Sequence, residues 1–375
     1  MMNNDRMLKE FFKLVKMTCS SGKEREAADY VTEQLKMLGF SVVEDHQAGE
    51  KFGGNTGNVV ANLSGTVVGA PTVMLSAHLD SVEPCSGIDP VLEDGIIRSK
   101  GETVLGSDDK AGVTAILEGL RMIQEEKLPH GAIQVVFTVG EESGLNGSHY
   151  MDRSLLTADY GYALDSGGSV GEICVLAPGQ DQINVVIHGK KAHAGMAPEE
   201  GINAIVVAGK ALAEMKQGRL DFETTANIGI IAGGSATNIV PDEVELKCEA
   251  RSRNLDKLAA QVAHMKETFE NVATAEGAAA NVTVTRAYEP FSLAESTLVV
   301  QNAVKAAKSL VLESKIVGTG GGSDANYFNA YGVPCAVLGV GMSKVHTTEE
   351  FIKESDLYLS AQYVLALLQT AASSV

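Results

Sequence analysis

The sequence contains no tryptophan, and aromatic residues make up only 5% of it; neither scarcity excludes a function. The other shortages are more informative. Cysteine is confined to Cys19, Cys85, Cys174, Cys248 and Cys335, an odd and scattered set without a C-x-x-C pair. That excludes a disulfide framework and suits a reducing compartment. No uncharged apolar run reaches transmembrane length, and segment 7–17 interrupts its apolar pattern with charges, so it lacks the continuous stretch of a secretory signal. A soluble, cytoplasmic protein is expected. Basic residues are in the minority, 30 against 48 acidic, for a formal charge of −18. Such a chain repels phosphate backbones and anionic lipid, so neither nucleic acid nor membrane is expected as a partner.

What is present is globular. The 375 residues are 45% hydrophobic with 39 glycines, enough for a core of two or three domains in a turn-rich enzyme. Helical spacing marks 7–17 and 23–38, and short β-rich runs follow at 41–44, 58–63 and 72–77. A helix over 111–126 leads to a buried strand at 133–139 and another at 160–164. From about residue 182 the order becomes strand 183–188, helix 202–215, strands 226–231 and 244–250, helix 255–272, strand 281–286. This βαββαβ series is that of a ferredoxin-like unit. Helix 296–312, strand 333–340 and helix 350–368 then resume the first rhythm. The expected fold is α/β, a mixed sheet covered by helices, with an inserted ferredoxin-like α+β domain. Its boundaries are a first catalytic part at 1–180, the insertion at 181–287 and a second catalytic part at 288–375.

Three of the strands end in metal-capable side chains: His78 and Asp80 after the first, Glu141 and Glu142 after the second, Asp165 after the third. In open α/β sheets, ligands gather beyond the carboxyl ends of the strands. Asp108 and Asp109 lie on a loop entering a helix, and His346 follows the last strand. Two imidazoles with several carboxylates suit zinc or a similar divalent ion. Two such ions need a shared carboxylate, which an acid on the 105–112 loop can supply. Adjacent glutamates can divide labour, one holding metal and the other a water. Asp80 is placed to accept the second ring N–H of His78. Singly, each piece reads as well as a satisfied histidine, a solvated turn or a helix cap; their conjunction, in this order, does not.

The stretches SAHLDSVEP, LGSDDKAG, FTVGEESGLNGS, ALDSGG, KKAHAGMAPEEGINAI, GGSATNIVPDEVELKCEARSR, GTGGGSDANYF and SKVHTTEEF span positions 78–351. They resemble the zinc-dependent exopeptidase family of peptidase T (tripeptide aminopeptidase), carboxypeptidase G and the succinyl-diaminopimelate desuccinylases, most of all its peptidase T branch. The resemblance implies that His78 and Asp165 bind one divalent metal, Glu142 and His346 a second, and Asp108 both. The ions would be Zn2+, with Co2+ or Mn2+ as alternatives. It further implies Glu141 as general base, Asp80 as the partner of His78, and a homodimer formed through the inserted domain. His193 would then stabilise the oxyanion in the partner's site, although Ala194 stands where serine is usual. Asn227 and Arg251 match positions that contact substrate, arginine being suited to a carboxylate. The resemblance implies an aminopeptidase acting on short peptides. A deacylase or carboxypeptidase for N-acyl amino acids would use the same centre, and a peptide-binding protein without activity is the reading from another class. The run Gly320-Gly321-Gly322-Ser323-Asp324 lacks the Gly-Lys-Ser/Thr ending of a phosphate loop. His46, His130, His149, His188 and His264 have no constellation and are taken as structural or exposed.

Overall fold

The computed structural model describes residues 2–373, which divide into two compact units. The first comprises residues up to Val175, Ser292–Gly318 and Ser323 onward; the second is Leu176–Phe291 with Thr319–Gly322.

The first unit is organised on a mixed nine-stranded sheet. Its order is Ser41–Asp45, Asn58–Leu63, Ile133–Thr138, Val73–His78, Tyr160–Ser166, Cys335–Gly339, Glu172–Ala177, Phe291–Ser292, with Lys315–Gly318 pairing Glu172–Ala177. The four central strands, from Ile133–Thr138 to Cys335–Gly339, are parallel. Every residue of Val73–His78 and Ile133–Thr138 is buried, which is why both segments read as continuous apolar runs rather than alternating ones. Helix Ser107–Glu125 covers this sheet and is itself buried along most of its length. It packs closely on helix Glu354–Ala372: a Cβ added at Gly119 would come within 2.6 Å of Val364 Cγ1. Truncating a fully buried strand residue such as Leu75 to alanine would cost about 2–5 kcal/mol.

The second unit is a βαββαβ fold. Its principal strands lie in the antiparallel order Thr224–Gly233, Glu243–Ser252, Gly179–His188, Ala279–Tyr288, with the short strand Gly218–Arg219 beside Thr224–Gly233. Numbered along the chain that order is 2-3-1-4, the ferredoxin-like arrangement. Burial alternates along Gly179–His188: Ile183, Val185 and Ile187 pack with Leu258, Met265 and Phe269 of helix Leu255–Ala275, leaving the other face open.

Several elements depart from the sequence expectations. Pro90–Glu93, Ile96–Ser99 and Phe351–Lys353 form a small antiparallel sheet too short to leave a periodic signal. Helix Asp324–Ala330 begins with a capping box between Ser323 and Asn326. The last helix starts at Glu354 rather than 350, because Phe351–Lys353 is paired as strand. No helix among the described residues is long and apolar enough to cross a membrane.

Candidate metal centre

The register of the parallel strands brings the expected side chains together. His78 is paired with Thr138, and Leu79 N donates to Thr138 O at 2.8 Å, so the Glu141–Glu142 turn lies beside the end of the His78 strand. Ser76 is paired with Ala163, which sets Asp165 level with His78 on the other side. Between them His78 Nε2 lies 3.1 Å from Asp108 Oδ1 and 3.7 Å from Asp165 Oδ1. His346 Nε2 lies 3.3 Å from Asp108 Oδ2 and 3.0 Å from Glu142 Oε1. Asp108 thus offers one oxygen to each imidazole. The triads His78–Asp108–Asp165, His78–Glu141–Glu142 and Asp108–Glu142–His346 each hold their donor atoms within 4.8 Å of one another.

Asp108 and Asp109 have separate tasks. Both have non-helical backbone at the start of helix Ser107–Glu125. Asp109 caps the regular part, its Oδ1 accepting from Gly112 N at 3.2 Å, while its Oδ2 accepts from His78 N at 3.3 Å. That leaves Asp108 as the acid facing both imidazoles. Asp80 also does more than hold His78. Its carboxylate is 3.3 Å from His78 Nδ1, but the ring nitrogen is nearer, at 3.1 Å, to the Asp80 carbonyl. The carboxylate accepts from Glu141 N at 3.0 Å, Glu142 N at 3.1 Å and Ser21 Oγ at 2.5 Å, and so fixes the whole Glu141–Glu142 turn. Gly140, just before it, has φ +60°, and a Cβ there would meet the Phe52 ring at 2.6 Å. Only glycine fits.

Several residues around the centre escaped the sequence reading. Lys110 is buried, its ammonium donating to Leu79 O and Ser81 Oγ. Glu24 Oε1 accepts from Gly140 N at 2.9 Å, and burial followed by Asp80 raises this acid to about 7. Asp324, which the sequence did offer as an acid near the site, is buried and accepts hydrogen bonds from Thr138 and Ser148. Glu350 accepts from the backbone of the loop that carries Asp108. Only Lys110, a charge heading the largely apolar run 111–117, carried a signal; Glu24 and Glu350 lie among polar and charged neighbours.

The residues present fit a pair of divalent cations. Four carboxylates and two imidazoles converge at the three triads, a negative excess that a largely buried site does not sustain without cations. Glu142 Oε1 is buried and accepts no hydrogen bond, although His346 Nε2 is only 3.0 Å away. Two donor atoms that close, without hydrogen-bond geometry, suit lone pairs converging on one ion. The electrostatics agree. Burial, reinforced by Asp165, pushes Glu141 well above the usual carboxylate range. The Asp108 carboxylate, then Glu142, raises His346 to about 10. Burial also pulls at His78, but Asp108 and Asp80 overcome it and hold the imidazole well above its ordinary value. These are responses to uncompensated negative charge.

His193, Asn227 and Arg251 belong to the second unit. His193 is exposed on the short strand Ala192–His193, which pairs with Ile239–Val240. Its Nδ1 accepts from Gly195 N at 3.1 Å and Met196 N at 3.2 Å, which makes Nε2 the protonated nitrogen in the neutral ring. Asn227 lines a cleft of about 480 Å3 on the open sheet face with Gln180, Gln182, Asn184 and Glu249. Arg251 forms a two-point pair with Glu249, Nε to Oε1 at 3.0 Å and an Nη to Oε2 at 2.9 Å.

A buried, carboxylate-rich centre at the ends of parallel strands, in a chain that also folds a βαββαβ unit, defines a metal-dependent hydrolase of the exopeptidase type. Residues 74–370 match the model of peptidase family M20/M25/M40, and the chain belongs to that family. It is 42% identical over 372 residues to the Bacillus subtilis (strain 168) protein YqjE, covering 99% of this chain and 100% of that one. The crystal structure of aminopeptidase PepT from Bacillus cereus ATCC 10987 superposes with a TM-score of 0.90 at 44% identity, over 99% of each chain. A tripeptidase from Staphylococcus aureus subsp. aureus Mu50 gives a TM-score of 0.95 at 42% identity, over 100% of each. This chain is a hydrolase of the peptidase class.

Proposed function

We propose that this chain is a cytoplasmic, two-metal aminopeptidase that releases the N-terminal residue of tripeptides and other short peptides. The observation that carries the reading is Asp108, which presents one oxygen toward His78 and the other toward His346. His78 and Asp165 would hold one ion and Glu142 and His346 the other, with Asp108 facing both; zinc is the metal this donor set suits best, with cobalt or manganese as substitutes. When bound, the ions polarise the scissile carbonyl and acidify water. Glu141 would take a proton from the attacking water and return it to the departing amine. Asp80 keeps His78 and the Glu141 turn in register. The Nε2–H of His193 stabilises the oxyanion in the partner's site. Arg251 exchanges Glu249 for the substrate carboxylate, and Asn227 contacts a substrate polar group. The names of the two similar solved structures, an aminopeptidase and a tripeptidase, support the substrate class.

In this reading residues 1–180 and 288–375 form the catalytic domain, and residues 181–287 the dimerisation and lid domain. Strand Thr224–Gly233 is an edge for most of its length, and Ile230 and Ile231 on it are about half exposed, as is Val206 on helix Ala204–Glu214. An apolar edge of that kind supports pairing with a second copy; full activity in a chain that sediments as a monomer would contradict it. The functional test is mass spectrometry of products after incubating the zinc-supplemented enzyme with free-amine and N-acetylated di- and tripeptides. Chelator-sensitive release of the first residue from free-amine tripeptides is expected. Cleavage of the acetylated peptides instead would make the protein a deacylase.

A further inference from the structure

We infer that Glu350 is a positioning residue that sets the second metal position by bracing Asp108 against the segment that carries His346. The inference rests on the two-metal reading above. Glu350 is 2% exposed, and no cationic side chain among the described residues forms an ion pair with it. A bare buried carboxylate is costly unless donors satisfy it. Here four do: Oε2 accepts from Leu105 N and Gly106 N, both at 2.8 Å, and Oε1 accepts from Ser107 Oγ at 2.6 Å and Asp108 N at 3.0 Å. All four lie on the loop that ends in Asp108, whose Gly106 has a left-handed φ of +72° and whose Asp108 is non-helical. This loop takes its order from Glu350 rather than from regular secondary structure.

The same segment carries His346. Ser343 and Phe351 exchange backbone hydrogen bonds, Ser343 N to Phe351 O at 2.9 Å and Phe351 N to Ser343 O at 3.0 Å, closing a loop with His346 at its tip and Glu350 at its base. Within it Thr347 Oγ1 donates to Lys344 O at 2.7 Å, and His346 itself is held at φ +63°. One closed loop therefore supplies the imidazole and grips the loop bearing the opposing carboxylate. The His346–Asp108 separation of 3.3 Å is set by this brace. Hydrogen bonds that orient metal ligands typically govern 10–100-fold in metal affinity.

The test is zinc binding to the metal-stripped full chain, by competition with a chromogenic chelator, alongside amide hydrogen exchange of the metal-free protein. Glu350→Gln keeps the shape but turns an NH2 toward two of the four donors. The wild type is expected to bind two equivalents. In Glu350→Gln the second equivalent should weaken about 10–100-fold with the first changed less. The amides of Leu105, Gly106 and Asp108 should exchange faster while those of the five-stranded sheet keep their protection. Glu349→Gln, at the exposed neighbour paired with Lys344, should bind as the wild type does. Should Glu350→Gln fail to fold, Ser107→Ala removes one of the four bonds, and the same equivalent should weaken a few-fold. A wild type with two equivalents and a variant that matches it would overturn the brace and leave the two-metal reading standing. Equal weakening of both equivalents, with protection lost throughout, would reduce Glu350 to a general stabiliser. A wild type that binds no zinc would remove both readings together.

Discussion

At the carboxyl ends of the parallel strands, Asp80 accepts three hydrogen bonds, Asp109 caps a helix and Glu350 holds a loop, all of them buried. On the second unit, Asn227 is exposed, and Arg251 pairs with Glu249, two residues away on its own strand. The contrast has a physical reading. Groups that hold cations and move protons gain from being fixed in advance, because their geometry must be right before substrate arrives. Groups that recognise a substrate must exchange one partner for another, so they stay near water and hold partners they can release.

That division can be broken or sharpened by substitution. Glu141→Gln should lower kcat by about 10²–10⁴-fold while metal content, measured by plasma mass spectrometry, stays near the wild-type value. Loss of metal together with activity would make Glu141 a ligand instead of a base. His193→Ala should cost about 10²–10³-fold in kcat, again without loss of metal. A change confined to KM would move His193 from oxyanion stabilisation to binding. Arg251→Met should act the other way, raising KM about 10–100-fold with kcat nearly kept, as expected for one charge-assisted contact. Substrates amidated at the C-terminus should lose that difference if the contact is to a carboxylate.

The smallest effect lies at Glu44, outside the groups compared above. Burial opposes ionisation of Glu44, but Arg25, Gly57 and Thr56 outweigh it and hold the acid down to about 2. A carboxyl with a folded value below its unfolded one, near 4.3, stabilises the fold above that unfolded value. The contribution fades as pH falls from about 5 toward 2. Because the pair is partly exposed and screened, Glu44→Gln should cost at most about 1 kcal/mol at pH 7. Thermal melts of the two proteins should converge toward pH 2; a constant gap would show that the loss is packing and not charge.

How much of this was legible in the sequence differs by region for the same physical reason. The strands that carry the candidate ligands were readable because parallel strands covered on both faces must be continuous apolar runs, with His78 and Asp165 at their ends and Glu141 three residues beyond. The βαββαβ order was readable because one-sided burial imposes alternation. From the residues alone Asp108 and Asp109 were not separable, and only the resemblance chose Asp108, since two adjacent acids at a helix start look alike until one is seen to cap Gly112. Glu350 was invisible: beside Glu349 it reads as one more surface acid, and its four partners lie more than 240 residues earlier. The Glu249–Arg251 pair lay within reach of the same alternation, because residues two apart on a strand share a face. The three-stranded sheet, built from strands of three or four residues, was too short for any period to register.

The most direct test of the central claim is a zinc reactivation curve. The enzyme is stripped with a chelator and zinc is added back stepwise while release of the first residue from a free-amine tripeptide is followed. The account predicts no turnover in the stripped protein and a curve that breaks at two equivalents per chain. Turnover that survives stripping, or that is never restored by zinc, cobalt or manganese, would contradict it.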